Sequence, residues 1–139
     1  MRRGKILIID DDPDMVLAAR LCLEGAGHQV IEAGGGTSGL AAVRSAKPDL
    51  IILDVMMDTT TEGFQVALKL RSPDPASPYY PYRDIPILML TAIHQTSPIR
   101  VSPEEDYLPV DSFIDKPIEP DHLIAEVERL LEKRAAEEA

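Results

Sequence analysis

The sequence predicts an α/β protein in which five parallel strands form one doubly wound sheet. Its apolar residues are concentrated in short continuous runs, which is typical of strands that are buried on both faces. Most of these runs are separated by stretches with helical spacing, and strand–helix–strand crossovers are almost always right-handed. Several runs also end in polar residues, at the edge where ligands bind in open α/β sheets.

The apolar run at residues 50–53 is the predicted central strand. It follows a turn at Pro48 and ends in Asp54. Four apolar residues in succession indicate burial on both faces, and an acid at the carboxyl end of such a strand is a candidate functional residue. Taken by itself, Asp54 has a second interpretation as a helix N-cap or a turn residue.

A second apolar run, at residues 6–9, ends in Asp10, Asp11 and Asp12. Two buried strands that both end in acids bring several carboxylates together, where like charges repel unless a cation lies between them. Carboxylate oxygens suit a hard ion such as Mg²⁺, which keeps several waters and leaves room for a phosphate oxygen. The two runs therefore predict a magnesium site that includes Asp54.

The elements between these strands are predicted from helix and turn signals. Pro13 and its neighbouring acids mark the start of the first helix, and glycines end it. Thr37 or Ser38 is the predicted N-cap of the second helix. The predicted elements of this half are a helix over about 14–24, a strand at 28–33, a glycine turn at 34–36 and a helix that ends at residue 46.

In the second half of the chain, prolines indicate where regular helices cannot form. Residues 72–84 contain four prolines and three of the four tyrosines, and they are predicted to be an extended loop. Residues 93–111 contain three further prolines, which predicts an irregular crossover with one short helical turn at 102–106. The remaining predicted elements are a helix at 64–71, strands at 85–90 and 112–114, and a closing helix from 120 to about 133.

Length and composition predict one domain over residues 1–139, with a core at 4–133 and a frayed, charged tail at 134–139. The hydrophobic content is 45% and the charged content 27%, as in ordinary globular proteins. No apolar run approaches the roughly 20 residues of a membrane span, and no signal peptide is recognisable. We therefore expect a cytoplasmic chain that contacts no membrane. The single cysteine, Cys22, is interpreted as a reduced packing residue.

The net charge argues against nucleic acid as a partner, and the spacing of the histidines argues against a histidine metal site. The net charge of −10 repels phosphates, and no basic stripe offsets it, so direct contact with nucleic acid is not expected. The three histidines, His28, His94 and His122, share no metal-ligand spacing and are interpreted as surface or capping residues.

Five polar residues follow the predicted strands at one edge of the sheet: Asp10, Asp11, Asp54, Thr91 and Lys116. Asp54 is placed to attack phosphorus, and the acidic pair is placed to hold Mg²⁺. The threonine hydroxyl and the lysine ammonium are each suited to a phosphoryl oxygen. This combination of residue types favours phosphoryl-transfer chemistry.

Four motifs resemble those of the receiver domain of two-component response regulators, which has the CheY-like fold. They are IIDDDP at residues 8–13, PDLIILDVMM at 48–57, MLTA at 89–92 and DKP at 115–117. The resemblance spans most of residues 4–133. It implies a flavodoxin-like sheet with the strand order 2-1-3-4-5. The chain departs from this family where the proline-interrupted crossover replaces most of the fourth helix.

The resemblance implies a metal site and a phosphoacceptor. Asp54 matches the aspartate that receives the phosphoryl group. Asp10 and Asp11 match the acidic pair that binds Mg²⁺ together with Asp54 and the backbone carbonyl of Met56. Asp12 falls outside that pair and is interpreted as a helix-capping residue.

The resemblance also implies a switch at the ends of the fourth and fifth strands. Thr91 matches the hydroxyl that moves toward the phosphoryl group, and Lys116 matches the lysine that pairs with it. Phe113 matches the aromatic residue whose ring orientation follows the phosphorylation state. From its position alone, Phe113 is equally a core residue of a buried strand.

The function implied is a phosphorylation-dependent signalling switch, not an enzyme. Its expected partners are a histidine kinase or phosphotransfer protein, which supplies the phosphoryl group, and a downstream target protein. The usual receiver dimer uses the helix that residues 93–111 lack, so any homodimer is expected to be non-standard. The tyrosine-rich loop at 72–84 is a candidate binding edge, and packing of its tyrosines over the crossover is the alternative.

Two other functions remain open from the residues. A Mg²⁺-dependent phosphohydrolase would also form an aspartyl phosphate, but it needs a second acid two residues after Asp54, where this chain has Met56. A receiver-like module that binds its partner without phosphorylation is the other, and the altered crossover keeps it open.

Overall fold

The computed structural model describes residues 4–54, 62–91, 110–115 and 118–138. Strands and helices alternate along most of these ranges. In chain order they are β1 (Lys5–Ile9), α1 (Pro13–Gly25), β2 (Gln29–Ala33), α2 (Gly36–Ala46), β3 (Leu50–Asp54), α3 (Glu62–Leu70), β4 (Ile87–Thr91), β5 (Ser112–Asp115) and α4 (Pro120–Glu138). A short 3-10 turn, Tyr80–Tyr82, lies between α3 and β4.

The five strands form one sheet in the order β2-β1-β3-β4-β5, and every neighbouring pair is parallel. This confirms the predicted fold class and strand order. The continuous apolar runs are explained by helices on both faces of the sheet, since alternate side chains of a strand point to opposite faces and both need cover.

Each face of the sheet has its own hydrophobic core. One core joins alternate residues of β1 and β3 to α2 and α3, and the other joins the remaining alternate residues to α1 and α4. The central strand β3 is buried along its whole length, as predicted. α2 lies so close to β1 that a Cβ at Gly39 would stand 2.6 Å from Cδ1 of Ile9. Glycine is therefore required there for the helix to approach the strand.

The starts of the first two helices differ in how they are capped. Asp12 is the N-cap of α1, and its side chain accepts hydrogen bonds from the backbone N–H groups of Asp14 and Met15, which confirms the capping interpretation. The predicted caps of α2 are wrong. Its N-cap is Gly35, and Ser38 lies in the first turn, where its Oγ accepts from the Gly35 N–H at 3.2 Å.

The C-terminal helix extends further than predicted. α4 continues to Glu138, beyond the predicted end at about residue 133, and the expected fraying of the tail stays a prediction. Arg134 accounts for the extension, because its Nη1 donates to the backbone carbonyl of Asp49 at 2.9 Å. That hydrogen bond fastens the last turns of the helix to the loop before β3.

The loop at 72–84 is irregular, as predicted, apart from its 3-10 turn. Tyr79 and Tyr82 are partly buried and pack against the core, while Arg83 lies over the ring of Tyr80 at 3.7 Å from its centroid. Two of the three tyrosines are thus used for internal packing. The predicted irregular crossover falls on residues outside the described ranges, except for Val110, which is buried, and Asp111.

Two further sequence interpretations are decided by burial. His28 is buried, with 4% of its surface exposed, and its Nδ1 accepts a hydrogen bond from the Gly4 N–H at 3.1 Å, so its interpretation as a surface residue is wrong. His122 is exposed, and His94 lies outside the described residues. Cys22 is a free thiol packed against the core, as predicted.

None of the helices in the described ranges is long and apolar enough to cross a bilayer.

Candidate metal centre

Three carboxylates meet at the carboxyl ends of β1 and β3. One oxygen from each of Asp10, Asp11 and Asp54 lies within 4.8 Å of the others. The register explains this meeting, because Ile9 pairs with Leu53 and the next residue of each strand is an aspartate. Asp10 and Asp54 are buried, with 3% and 1% of their surfaces exposed, and Asp11 is exposed. The predicted acidic cluster is therefore present in the fold.

Backbone hydrogen bonds hold Asp10 in place. Its N–H donates to the Ala33 carbonyl at 3.0 Å, which continues the pairing of β1 with β2 by one residue. Its side-chain Oδ1 accepts from the N–H of Asp12 at 2.9 Å. The main chain therefore sets both the position of Asp10 and the orientation of its carboxylate.

The donor set fits a hard divalent cation. Three carboxylates this close repel one another, and two of them are shielded from water, so a positive ion between them would remove the repulsion. All three ligands are oxygens, as Mg²⁺ and Ca²⁺ require. Within the described residues three side chains contribute, so the ion would keep several waters, which is the usual behaviour of Mg²⁺.

A cleft of about 410 Å³ lies beside the cluster. Asp10 and Asp11 form one side of it, and residues of α1 and the end of β2 form the rest. Arg20 on α1 spans the cleft to Glu32 on β2 and also pairs with Glu24. Hydrogen bonds to Glu32 and Glu24 raise the pKa of Arg20. The cleft therefore borders Asp10 and Asp11 of the acidic cluster on the α1 side.

The other predicted site residues lie on β4 and β5 or outside the described ranges. Thr91 ends β4 and pairs with Asp115, one position beyond the pair formed by Asp54 and Leu90. Its backbone is therefore at the same edge of the sheet as the acidic cluster. Phe113 is on β5, partly buried against the core, which agrees with its interpretation as a packing residue.

Met56 and Lys116 lie outside the described residues, so their predicted roles stay predictions. Sequence reasoning did not identify the Asp12 N–H as a partner of Asp10, nor the Arg20–Glu32 ion pair beside the cluster. The hydrogen bond to Asp10 has a local signal, since an aspartate side chain commonly accepts from the backbone N–H two residues later. The second joins residues 12 apart on different elements and has no local signal.

Comparison with known proteins relates this chain to response regulators. Residues 6–128 match the model of the response regulator receiver domain. The chain is 32% identical over 137 residues to the DNA-binding response regulator MtrA of Mycolicibacterium smegmatis, covering 99% of this chain and 54% of the relative. It is 36% identical over 129 residues to the DNA-binding dual master transcriptional regulator RpaA of a Synechocystis strain, covering 93% and 49%. The chain thus spans about half the length of these curated relatives.

Solved structures agree with this relationship. The chemotaxis response regulator CheY4 of Vibrio cholerae has a TM-score of 0.74 at 28% identity, with 93% of this chain and 99% of that chain covered. A putative response regulator from Chloroflexus aurantiacus also has a TM-score of 0.74 at 28% identity, with 94% and 98% covered. The match of residues 6–128 to the family model, together with these relatives, shows that the chain belongs to the response regulator receiver domains of two-component systems.

Proposed function

We propose that this receiver domain is a phosphorylation-dependent switch that accepts a phosphoryl group on Asp54 with Mg²⁺ bound. The observation that carries the proposal is the cluster of Asp10, Asp11 and Asp54, whose oxygens lie within 4.8 Å of one another. Asp54 ends β3, which is buried along its whole length, and the other two acids directly follow its neighbour β1. A nucleophile beside a metal site is the arrangement that phosphoryl transfer needs.

In the proposed reaction, a carboxylate oxygen of Asp54 attacks the phosphorus of a phosphohistidine in a partner protein. The P–N bond breaks as the P–O bond of an acyl phosphate forms, and the leaving imidazole nitrogen takes up a proton. When bound, Mg²⁺ neutralises charge on the transferred group and on the carboxylates. Asp10 and Asp11 hold the ion, and the backbone carbonyl of Met56 is the proposed fourth protein ligand.

The proposed switch follows from the charge added at Asp54. A phosphoryl group brings negative charge and acceptor oxygens to the carboxyl edge of the sheet. Thr91 and Lys116 are the proposed donors to those oxygens, and movement of their strand ends would alter the surface over β4 and β5. Phe113, on β5 and partly buried, is the proposed side chain that repacks with them.

The proposed partners are a histidine kinase or phosphotransfer protein and a downstream protein target, in the cytoplasm. We propose that this chain itself makes no contact with nucleic acid, because its net charge is −10. DNA binding is part of the names of relatives about twice as long. We also propose that it is not an enzyme with turnover of its own, since its relatives are response regulators.

Phosphorylation by a small-molecule donor tests the proposal. Purified protein is incubated with acetyl phosphate or phosphoramidate, with MgCl₂ or with EDTA, and analysed by intact-mass spectrometry. One added phosphoryl group is expected with Mg²⁺ present, none with EDTA, and none in Asp54→Asn. Asp74→Asn removes an exposed acid from the 72–84 loop and should label like the wild type.

Other outcomes distinguish the alternatives. A folded wild-type protein that takes up no phosphate under these conditions would contradict the proposal and favour a module that binds its partner without phosphorylation. Sustained release of phosphate from small phosphomonoesters, lost in Asp54→Asn, would favour the phosphohydrolase.

A further inference from the structure

Two consecutive aspartate turns connect the candidate metal centre to the start of α1. In the first, Oδ1 of Asp10 accepts from the N–H of Asp12 at 2.9 Å. In the second, Oδ1 of Asp12 accepts from the N–H of Asp14 at 3.0 Å and, less closely, from that of Met15 at 3.4 Å. Asp12 therefore donates to the buried carboxylate with its backbone and caps the helix with its side chain.

The backbone hydrogen bond of Asp12 and the hydrogen bonds of its side chain depend on one another. Asp12 has an extended backbone, with φ −96° and ψ 107°, and the following Pro13 favours that conformation. Proline alone does not tether residue 12 to the helix, however. The Asp12 carbonyl accepts from the Val16 N–H at 3.0 Å, and the side-chain cap adds two further N–H groups of the first turn. A helix of 13 residues packed on the sheet thereby holds the peptide plane that carries the Asp12 N–H.

The Asp10 carboxylate gains a defined orientation from this arrangement. One of its oxygens is held by the Asp12 N–H, and the rotation of the carboxylate about its Cβ–Cγ bond is restricted as a result. A metal ligand that is already oriented loses less conformational freedom when the ion binds, and residues that orient a ligand are known to affect metal affinity strongly.

We propose that Asp12 is a positioning residue for the metal centre: its side-chain cap on α1 aims its own N–H at Oδ1 of Asp10 and so orients that ligand. The inference rests on the proposed function, because it requires the cluster to bind Mg²⁺. It assigns no ligand role to the Asp12 side chain, which caps the helix instead.

Two substitutions of Asp12 distinguish the effect of losing its helix cap from the effect of losing its negative charge. Asp12→Asn and Asp12→Ala both remove one negative charge, but only asparagine retains a side-chain oxygen that caps a helix well. Mg²⁺ affinity is measured for each variant of the 139-residue chain by NMR titration of backbone amide signals with MgCl₂. The difference between the two variants then reports the cap alone.

We expect Asp12→Ala to bind Mg²⁺ about threefold to tenfold more weakly than Asp12→Asn, from the usual worth of a cap. In the metal-free protein, the amide proton of residue 12 should keep its downfield hydrogen-bonded shift in Asp12→Asn and lose part of it in Asp12→Ala. Asp12→Ser, which also caps, should restore the affinity of Asp12→Asn. These readouts would not move if Asp12 only stabilised the helix.

Asp74 provides the matched control. Its Oδ1 accepts from the N–H of Ala76 at 2.9 Å, which is the same kind of turn, in the loop at 72–84 that leads to the amino end of β4. Asp74→Ala and Asp74→Asn should have equal Mg²⁺ affinities. If Asp12→Ala does not fold, Asp12→Gly replaces it, since glycine is tolerated at an N-cap but offers no side-chain acceptor.

The outcomes are distinct. Equal Mg²⁺ affinities for Asp12→Ala and Asp12→Asn, in a protein whose wild type binds the ion, would overturn the positioning role alone. Failure of the wild type to bind Mg²⁺ would overturn the proposed function and this inference with it.

Discussion

Arg71, just after the end of α3, forms an ion pair with Asp111, which immediately precedes β5. Each partner is also held by the backbone: Nη1 of Arg71 donates to the carbonyls of Arg83 and Ile85, both at 2.6 Å, and Oδ2 of Asp111 accepts from the Ile87 N–H at 2.8 Å. Burial lowers the pKa of Arg71, and the charges of Asp111 and Asp84 act in the opposite direction. The pair thus joins α3, the 72–84 loop and the starts of both β4 and β5.

Replacing Arg71 should destabilise the fold more than replacing an exposed arginine. Arg71→Ala removes the guanidinium from two carbonyls and from the Asp111 carboxylate, which keeps only the Ile87 N–H of these two donors, and we expect a loss of about 2–3 kcal/mol in the free energy of unfolding. Arg71→Lys keeps the charge but not the fork of donors and should recover only part of it. Urea denaturation measures both. Arg44→Ala, on the exposed side of α2, is the control and should change stability by less than about 0.5 kcal/mol.

Gly39 should not tolerate a methyl group. A Cβ there would stand 2.6 Å from Cδ1 of Ile9, a fully buried residue directly before Asp10. We expect Gly39→Ala to cost about 1–3 kcal/mol, as other overpacked core positions do. At Gly25 a Cβ would meet nothing within 4 Å, so Gly25→Ala should be neutral or stabilising by up to about 1 kcal/mol. Similar unfolding midpoints for the two variants would contradict the close packing of α2 on β1.

Magnesium should stabilise the protein through the acidic cluster. At a concentration 100 times the dissociation constant, a ligand specific for the folded state adds about 2.7 kcal/mol. Asp10→Asn removes one of three close negative charges, so its metal-free form should be more stable than the metal-free wild type, by about 1 kcal/mol. Thermal unfolding with MgCl₂ and with EDTA measures both effects.

The response of Asp10→Asn to magnesium should also be much smaller than that of the wild type. Asp74→Asn should retain the full response to magnesium, since it lies outside the cluster. An increase in stability by MgCl₂ that is the same in wild type and Asp10→Asn would place the bound ion elsewhere.

Arg134 should hold the end of α4 in place. Arg134→Ala removes the hydrogen bond to the Asp49 carbonyl. We expect the free energy of unfolding to fall by about 0.5–1.5 kcal/mol and amide hydrogen exchange at residues 134–138 to become faster. Arg129→Ala is the control, because Arg129 is exposed and its ion pair with Glu126 lies within the same helix. Such pairs contribute little, so the exchange at the end of α4 should not change in that variant.

The parts of this protein that follow local patterns were predicted from the sequence. The buried run that ends in Asp54 and the run before Asp10 predicted parallel neighbours, and their register places the two acids side by side. The Asp12 cap was recognised from its proline and acidic surroundings.

The features that were missed depend on residues far apart in the chain. The end of α4 was placed too early because Arg134 bonds to a carbonyl 85 residues away. Arg71 and Asp111 are 40 residues apart, and His28 is buried where the amino end of β1 meets β2. Hydrophobic periodicity carries no signal for such contacts.

The inward packing of Tyr79 and Tyr82 has a practical consequence for spectroscopy. The chain has no tryptophan and four tyrosines, three of which lie in the segment before β4. Its ultraviolet emission therefore comes largely from the end of the molecule opposite the acidic cluster. A change in that emission on phosphorylation would measure how far a disturbance at Asp54 travels along the length of the strands.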